Sequence, residues 1–400
     1  PRQSGEMLEA ALTAGLCSVG ADVESLGVLP TPAVAYLVRK YNADAGVVIS
    51  ASHNPMEFNG IKIFAGTGYK LPDEVENEIE AYIDNQCAGL KLATGDDVGR
   101  VTYRADGIKD YADHLYESID GDLSGLNICI DCANGASAAA ARQLFPRLGA
   151  KCTFIGVEPD GKNINAGVGS THLDNLEKAV VEGGFDCGIA FDGDADRCLL
   201  VDEQGHTIDG DKIMAVCGAY MKRNGRLTGN TIVATVMSNL GLHEFCRKNG
   251  IDLVCTNVGD RNVLEKMVEC GYKLGGEQSG HMIFTDYATT GDGQLSALQF
   301  LQILALSGKS ASVLTADCPQ YPQVLLNVPV SHERGVKDAI MASDALAAAV
   351  ALQEEKLSGE GRVLVRPSGT EALIRVMVEA KTEQIALLAA ENLVNVIKML

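Results

Sequence analysis

The chain has 400 residues, 46% of them hydrophobic, twelve cysteines and a formal net charge of −20. That length and apolar content allow two to four domains with buried cores, and so acidic a chain lacks the basic face that nucleic-acid binding needs. No apolar run reaches membrane-spanning length, no basic-then-apolar leader opens the chain, and the cysteines lie singly in apolar segments, as at Cys187, Cys198 and Cys255, so a protein of the reducing cytoplasm, off the membrane, is expected.

In chain order, apolar strands are expected at 47–50 (V-V-I-S), 128–131 (I-C-I-D), 188–191 (G-I-A-F) and 231–236 (T-I-V-A-T-V), each with an amphipathic stretch nearby. Strand alternating with helix implies α/β layers. After Pro319 the pattern changes to strands at 324–330, 363–365 and 373–379 with helices at 336–354 and 382–400, which reads as a smaller α+β domain. Polar or Gly/Pro-containing breaks near Arg104, Gly210 and Pro319 divide the chain into segments 1–105, 106–209, 210–318 and 319–400. The close pair Cys129 and Cys132 has no second pair to complete a zinc site and reads as structural.

Four loops concentrate chemistry. The first, Ser50-Ala51-Ser52-His53-Asn54-Pro55, follows a strand, with Lys62 a few residues on. A serine at a strand end is well placed as a nucleophile, and the lysine can reach back to neutralise an anion; His53 fits a base or a turn filler. Taken alone, the loop is better explained by an ordinary turn.

The second loop, D-G-D-A-D-R at 192–197, sets three alternating carboxylates and an arginine between two apolar strands. Asp192, Asp194 and Asp196 offer only oxygen ligands, which suits Mg²⁺. With Glu203 they also fall at the first, third, fifth and twelfth positions of an EF-hand loop, but Arg197 stands where that loop needs glycine and the flanks are strands. Because the chain as a whole repels anions, any phosphate pocket has to be built locally from a metal and a few arginines and lysines.

The third loop, G-E-Q-S-G-H at 276–281, presents Glu277, Ser279 and His281, groups suited to sugar hydroxyls, and Asp260-Arg261 forms another charged turn. The fourth, R-P-S-G-T-E at 366–371 followed by Arg375, gathers guanidinium groups, hydroxyls and a glycine into what reads as an anion nest.

In this order and spacing the four loops resemble those of the α-D-phosphohexomutases, and the resemblance covers nearly all of the chain. The E-Q-S-G-H form, T-T-G-D-G at 289–293, and the stretches S-G-E-M-L-E-A-A-L and V-L-P-T-P-A-V-A-Y-L are similar to the members of that family that act on glucosamine phosphates. The resemblance implies three related α/β domains with mixed sheets and a smaller C-terminal α+β domain around a central cleft. Segment 1–105 would carry the phosphoserine loop, 106–209 the metal, 210–318 sugar recognition and 319–400 a phosphate site.

It further implies an isomerase in which phospho-Ser52 donates to glucosamine 6-phosphate. A glucosamine 1,6-bisphosphate then serves as intermediate and activator, and glucosamine 1-phosphate leaves toward cell-envelope precursors. Ser52, Asp192, Asp194 and Asp196 would hold one Mg²⁺ per subunit. Arg197 would support the phosphoserine with Lys62 and His53 close to the chemistry, Glu277, Ser279 and His281 would face the sugar, and Arg366, Ser368, Gly369, Thr370 and Arg375 would anchor the distal phosphate.

The family's own strand and Gly/Arg-rich loop precede the point where this chain opens at Pro1, so a native N-terminal piece is expected ahead of it. Ala195 stands for the usual glycine of the metal loop and Ala372 for a usual proline; neither removes a ligand. Glucose and mannose phosphates stand as alternative substrates, and a homodimer is left open. Two other classes compete: a haloacid-dehalogenase-type phosphotransferase with Asp192 as nucleophile, which leaves Ser52 and Arg366 unexplained, and a non-catalytic sugar-phosphate sensor.

Overall fold

A computed structural model describes residues 1–400 apart from Arg334, Gly369 and Thr370. The chain forms two units, one made of Pro1–Met237 and Asn249–Ala316, the other of Ser238–Lys248 and Asp317–Leu400.

The first unit holds two sheets of one topology. In the five-stranded sheet, Asn127–Asp131 lies between Lys151–Ile155 and Cys187–Phe191, both parallel to it, and Cys198–Asp202 adds antiparallel to Cys187–Phe191, with Thr207–Ile208 at the edge. In the four-stranded sheet, Thr231–Thr235 lies between parallel Asp252–Thr256 and Leu274–Gly276, and Met282–Phe284 closes antiparallel. The expected relatedness of segments 106–209 and 210–318 is thus visible as a repeated strand order. Ahead of them, Ala45–Ile49 and Ile61–Ala65 form an antiparallel pair, and Val23–Ser25 pairs in parallel with Val101–Tyr103.

Sequence dictates this layering. Cys187–Phe191 is buried at every residue, as a strand covered on both faces must be, which is why C-G-I-A-F shows no alternation. The helix Asp174–Gly183 lays Leu176 and Val180 against Cys129, Ala190 and Val201. Gly188 permits that approach, since a Cβ there would stand 2.6 Å from the Val180 side chain. The helix Gly293–Ser307 is buried over its first twelve residues and apolar all round, so it carries no amphipathic period. Two of its buried amides reach across to backbone: Gln294 Nε2 donates to the Ser137 carbonyl and Gln299 Nε2 to that of Ser118.

In the second unit Leu373–Ala380 is the centre of an antiparallel sheet flanked by Gln323–Pro329 and Gly361–Pro367, packed on the helices Asp344–Leu357 and Glu383–Ile397 through Leu346, Val376, Val378 and Leu393. The single helix expected at 336–354 is two, Val336–Met341 and Asp344–Leu357, separated where Ser343 is extended (φ −71°, ψ 128°). Ser343-Asp344 is a helix-start signal inside an otherwise continuous apolar period. Glu379, fully buried, accepts from Asn239, the Leu240 backbone N–H, Gln323 and Arg362, which ties 238–248 to this sheet.

Cys129 and Cys132 are buried free thiols. No described helix is long and apolar enough to cross a membrane. Each of the four motif loops joins two strands that pair antiparallel.

Candidate active site

Strand Cys187–Phe191 ends at Asp192, where the chain turns back toward Cys198–Asp202. Ala195 in this turn takes a left-handed conformation, φ 56°, and donates its N–H to the Asp192 carbonyl. That is where glycine is the easier choice, so alanine keeps the turn at some cost. Gly193 admits no side chain, since a Cβ would stand 2.7 Å from the Ser52 carbonyl oxygen. The turn therefore brings Asp192, Asp194 and Asp196, all buried, together with a carboxylate oxygen from each within 4.8 Å of the others.

Three carboxylates this close repel one another. Burial pushes the Asp192 carboxyl well above its ordinary value, and Asp196 and Asp194 push it further. Burial would raise Asp194 as well, but Lys62 beside it, with a hydrogen bond from Thr31, brings it down to about 2. Asp194 Oδ2 accepts from Lys62 Nζ at 2.6 Å and from Thr31 Oγ1 at 2.8 Å, while its buried Oδ1 has no partner among the described residues. An orphaned buried carboxylate oxygen beside two further carboxylates is the donor set of a hard divalent cation, and a metal fits here. The EF-hand spacing plays no part: Glu203 is engaged elsewhere, accepting from the Ser312 N–H at 3.1 Å and from the Ser312 hydroxyl.

Ser52 faces this cluster. Its Oγ donates to Asp192 Oδ2 at 2.6 Å and lies 3.5 Å from Asp196 Oδ1. The register of the hairpin, which pairs Val48 with Lys62, sets the lysine alongside, where Nζ also lies 3.4 Å from Asp196. Burial alone would lower the lysine, yet Asp194 and Asp196 raise it above its ordinary value, so it stays charged. Ser52 itself is left-handed, φ 52°, a conformation that costs a serine about 1 kcal/mol or more and needs its surroundings to hold it. Arg197 donates its backbone N–H to Asp192 Oδ1 at 3.2 Å, and its buried Nε has no hydrogen-bond partner among the described residues. Burial and the nearby Arg197 lower the His53 imidazole from its ordinary value; its buried Nδ1 is likewise unpartnered among the described residues.

The turn 277–281 is stitched to the metal turn through backbone: the Cys198 N–H donates to the Gly280 carbonyl, and the Gly293 N–H, in the T-T-G-D-G stretch, to that of Ala195. Glu277 accepts from the Gly259 N–H and from Ser279 Oγ, leaving both side chains at a partly open surface. His281 turns inward instead. Its Nε2 accepts the Gly291 N–H at 3.2 Å and lies 3.5 Å from Asp260 Oδ2, and its Nδ1 lies 3.7 Å from Asp196 Oδ2. Asp260 in turn pairs with Lys70. His281 thus sits against a metal-loop carboxylate.

In the second unit Arg366 and Arg375 are register partners on adjacent strands. Burial and the neighbouring Arg375 lower the Arg366 guanidinium from its ordinary value, while Arg375 Nη2 pairs with Glu371 at 3.1 Å. Ser368 Oγ accepts the Glu371 N–H, and Lys337 Nζ donates to the Ser368 and Glu371 carbonyls, adding a third cation that the sequence motif does not contain. Gly369 and Thr370 lie outside the described residues. Asp260 was legible from sequence only as part of a charged turn, and Thr31 and Lys337 were invisible from sequence because each sits far along the chain from the motif it touches. Arg2 and Asn165, which contact the carbonyls of the Ser52 loop, are the same case.

Four family models match the chain: phosphoglucomutase/phosphomannomutase alpha/beta/alpha domain I over residues 1–88, domain II over 109–205, domain III over 209–321 and the C-terminal domain over 325–396. Among curated relatives, the phosphoglucosamine mutase of Clostridium tetani (strain Massachusetts / E88) is 52% identical over 397 residues, 99% of this chain and 88% of that protein. That of Thermoanaerobacter sp. (strain X514) is 53% identical over 380 residues, 95% of this chain and 84% of that protein. Among solved structures, a phosphoglucomutase/phosphomannomutase family protein from Burkholderia thailandensis superposes with a TM-score of 0.81 at 23% identity, covering 100% of this chain and 87% of the other. An Aspergillus fumigatus N-acetylphosphoglucosamine mutase, in complex with GlcNAc-6P and magnesium, gives 0.71 at 19% identity, covering 96% and 93%.

Proposed function

This chain belongs to the phosphoglucomutase/phosphomannomutase family, and from that premise we propose that it works as a phosphoglucosamine mutase, an isomerase interconverting glucosamine 6-phosphate and glucosamine 1-phosphate through a phosphoserine at Ser52. One observation carries the reading: the Ser52 hydroxyl is aimed at a buried three-aspartate cluster, 2.6 Å from Asp192, with the charged Lys62 on the same carboxylates. A serine so placed can store a phosphoryl group, and near-identical naming among relatives at 52–53% identity supports the substrate.

Phosphoryl transfer has a loose transition state, so the protein contributes alignment and charge neutralisation. In the first half-reaction the bond from phosphorus to Ser52 Oγ breaks as a bond to the C1 hydroxyl oxygen of glucosamine 6-phosphate forms, and that hydroxyl's proton ends on Oγ. The 1,6-bisphosphate turns end for end, Ser52 Oγ attacks the phosphoryl at C6, the bond from phosphorus to the C6 oxygen breaks as that oxygen takes the Oγ proton, and glucosamine 1-phosphate leaves. Lys62 and Arg197 supply fixed positive charge beside the transferring group. Asp192, Asp194, Asp196 and a phosphate oxygen on Ser52 would hold one Mg²⁺ per subunit, which would supply charge to neutralise the negative charge developing there. His53 lines the loop.

Glu277 and Ser279 contact sugar hydroxyls and His281 steadies Asp196 beside them. Arg366, Ser368, Gly369, Thr370 and Arg375 anchor the phosphate that is not being transferred. Segments 1–105, 106–209, 210–318 and 319–400 each carry one of the four loops, a division supported by the four separate family models. The test is a comparison of kcat/KM for glucosamine, N-acetylglucosamine, glucose and mannose phosphates with the bisphosphate present. The reading expects glucosamine 6-phosphate to lead, and equal or better turnover of glucose or mannose phosphate would reassign the substrate.

A further inference from the structure

The carbonyls of the Ser52 loop point inward. Those of Ser52, Asn54, Pro55 and Phe58 converge on one guanidinium: Arg2 Nη1 donates to Pro55 O at 2.6 Å and Phe58 O at 3.0 Å, and Nη2 to Ser52 O at 3.0 Å and Asn54 O at 2.8 Å. All four terminal N–H bonds are used, and Arg2 is only 5% exposed. An arginine beside an acceptor serine would ordinarily be read as a phosphate ligand. This one has no terminal donor left to offer.

A second donor shares two of the same carbonyls. Asn165 Nδ2 donates to Ser52 O at 3.0 Å and Asn54 O at 3.1 Å, and Asn165 is itself buried. Gly193 closes the remaining side, since a Cβ on it would meet both Ser52 O and Asn165 Nδ2. The Ser52 carbonyl is therefore enclosed by Arg2, Asn165 and the metal turn, and its direction fixes the peptide plane that keeps Ser52 left-handed. With that plane released, a non-glycine residue relaxes to negative φ, and Oγ swings away from Asp192.

On the reading of Ser52 as the phosphoryl carrier, we propose that Arg2 and Asn165 are positioning residues, which act through the backbone of the loop to hold Ser52 in its left-handed conformation and aim its Oγ at Asp192. Arg2 does so by its planar fork, which a point charge cannot copy because an ammonium carries three donors in another geometry. Neither residue touches the substrate.

The experiment compares wild type with Arg2→Gln, Arg2→Lys and Asn165→Ala. It reads kcat and KM for glucosamine 6-phosphate, phosphate on Ser52 after incubation with the 1,6-bisphosphate, and the thermal midpoint. A misplacement of about 1 Å at a reacting atom costs about 100-fold in rate. Both Arg2 variants should therefore lose about that much kcat per folded molecule with KM unchanged, and phosphorylate Ser52 correspondingly slowly. Asn165→Ala should show the same signature more weakly, and the double variant should lose less than the product of the single losses, because the two donors share carbonyls.

A raised KM with unchanged kcat would make Arg2 a phosphate ligand and overturn the proposal. So would full activity in Arg2→Lys, or wild-type kcat per folded molecule in Arg2→Gln, since a merely structural role lowers the midpoint alone. Should Arg2→Gln fail to fold, wild-type kcat in Asn165→Ala would overturn it equally. If the wild type itself takes no phosphate on Ser52, the phosphoserine reading fails first.

Discussion

Lys62→Met removes the cation from the metal cluster while keeping most of the side chain's apolar stem. Lys62 Nζ is 2.6 Å from Asp194 and 3.4 Å from Asp196, and the two carboxylates are only 2% and 9% exposed. Losing one partner of a buried pair leaves the other charge uncompensated, which costs about 3 to 5 kcal/mol. The deficit depends on pH in a definite sense. In the native enzyme Lys62 helps hold Asp194 at about 2, so the stability this carboxyl contributes is present above its ordinary titration range and is lost as pH falls toward 2. In the variant that contribution is absent, and the two proteins should converge in acid.

A divalent ion can replace the missing charge. Three carboxylates without their ammonium attract a cation more strongly, so Mg²⁺ should raise the stability of Lys62→Met by more than it raises that of the wild type. Urea unfolding at neutral pH, in chelator and in excess Mg²⁺, measures both quantities. Turnover should fall about 100-fold or more even with Mg²⁺, because the fixed charge beside the transferring phosphoryl is gone. A loss below about 1 kcal/mol in chelator, or an equal gain from Mg²⁺ in both proteins, would refute the electrostatic reasoning.

Ser52→Ala should abolish mutase turnover with the thermal midpoint nearly unchanged, because it deletes the phosphoryl carrier; measurable turnover through a bisphosphate would contradict this. Burial lifts the Asp292 carboxyl to about 6 although it accepts from Leu295 and from the Tyr111 hydroxyl. A raised carboxyl favours the fold below its ordinary value and loses that advantage as pH rises through about 6, so the wild type should lose about 3 kcal/mol relative to Asp292→Asn from acid to neutral pH. Parallel stability curves would show that burial does not govern this group. Arg366→Ala should raise KM about 30-fold, corresponding to about 2 kcal/mol for a lost charged partner, and release more bisphosphate per turnover; wild-type values of both would leave the 366–371 loop a plain hairpin.

The four motif loops were legible because each gathers its hydroxyls, carboxylates or guanidinium groups within six or seven consecutive residues. The metal triad is the clearest case: D-G-D-A-D needs only one tight turn to converge, and the turn is there. Arg2 and Asn165 escaped notice because they reach Ser52 across 50 and 113 residues and bond to backbone, which leaves no side-chain pattern to read. His281 was expected near the sugar on the strength of its loop, yet Gly291 and Asp260, which hold it against Asp196, lie elsewhere in the chain. Lys151–Ile155 and Asp252–Thr256 were missed, but the strands that were expected were recovered to within a few residues, since apolar runs bounded by turns are local. The helix Gly293–Ser307 was not, because burial on all sides erases the period that marks a surface helix. The break at Ser343 was lost for the opposite reason: a strong apolar period runs across it.

The claim on which the account turns is that Ser52 carries the phosphoryl group. Incubating the enzyme with glucosamine 1,6-bisphosphate and Mg²⁺, digesting it, and locating the phosphate by tandem mass spectrometry tests this directly. The account predicts phosphate on Ser52, discharged when glucosamine 6-phosphate is added. Phosphate on Asp192, or an enzyme that turns over with no covalent phosphate, would contradict it.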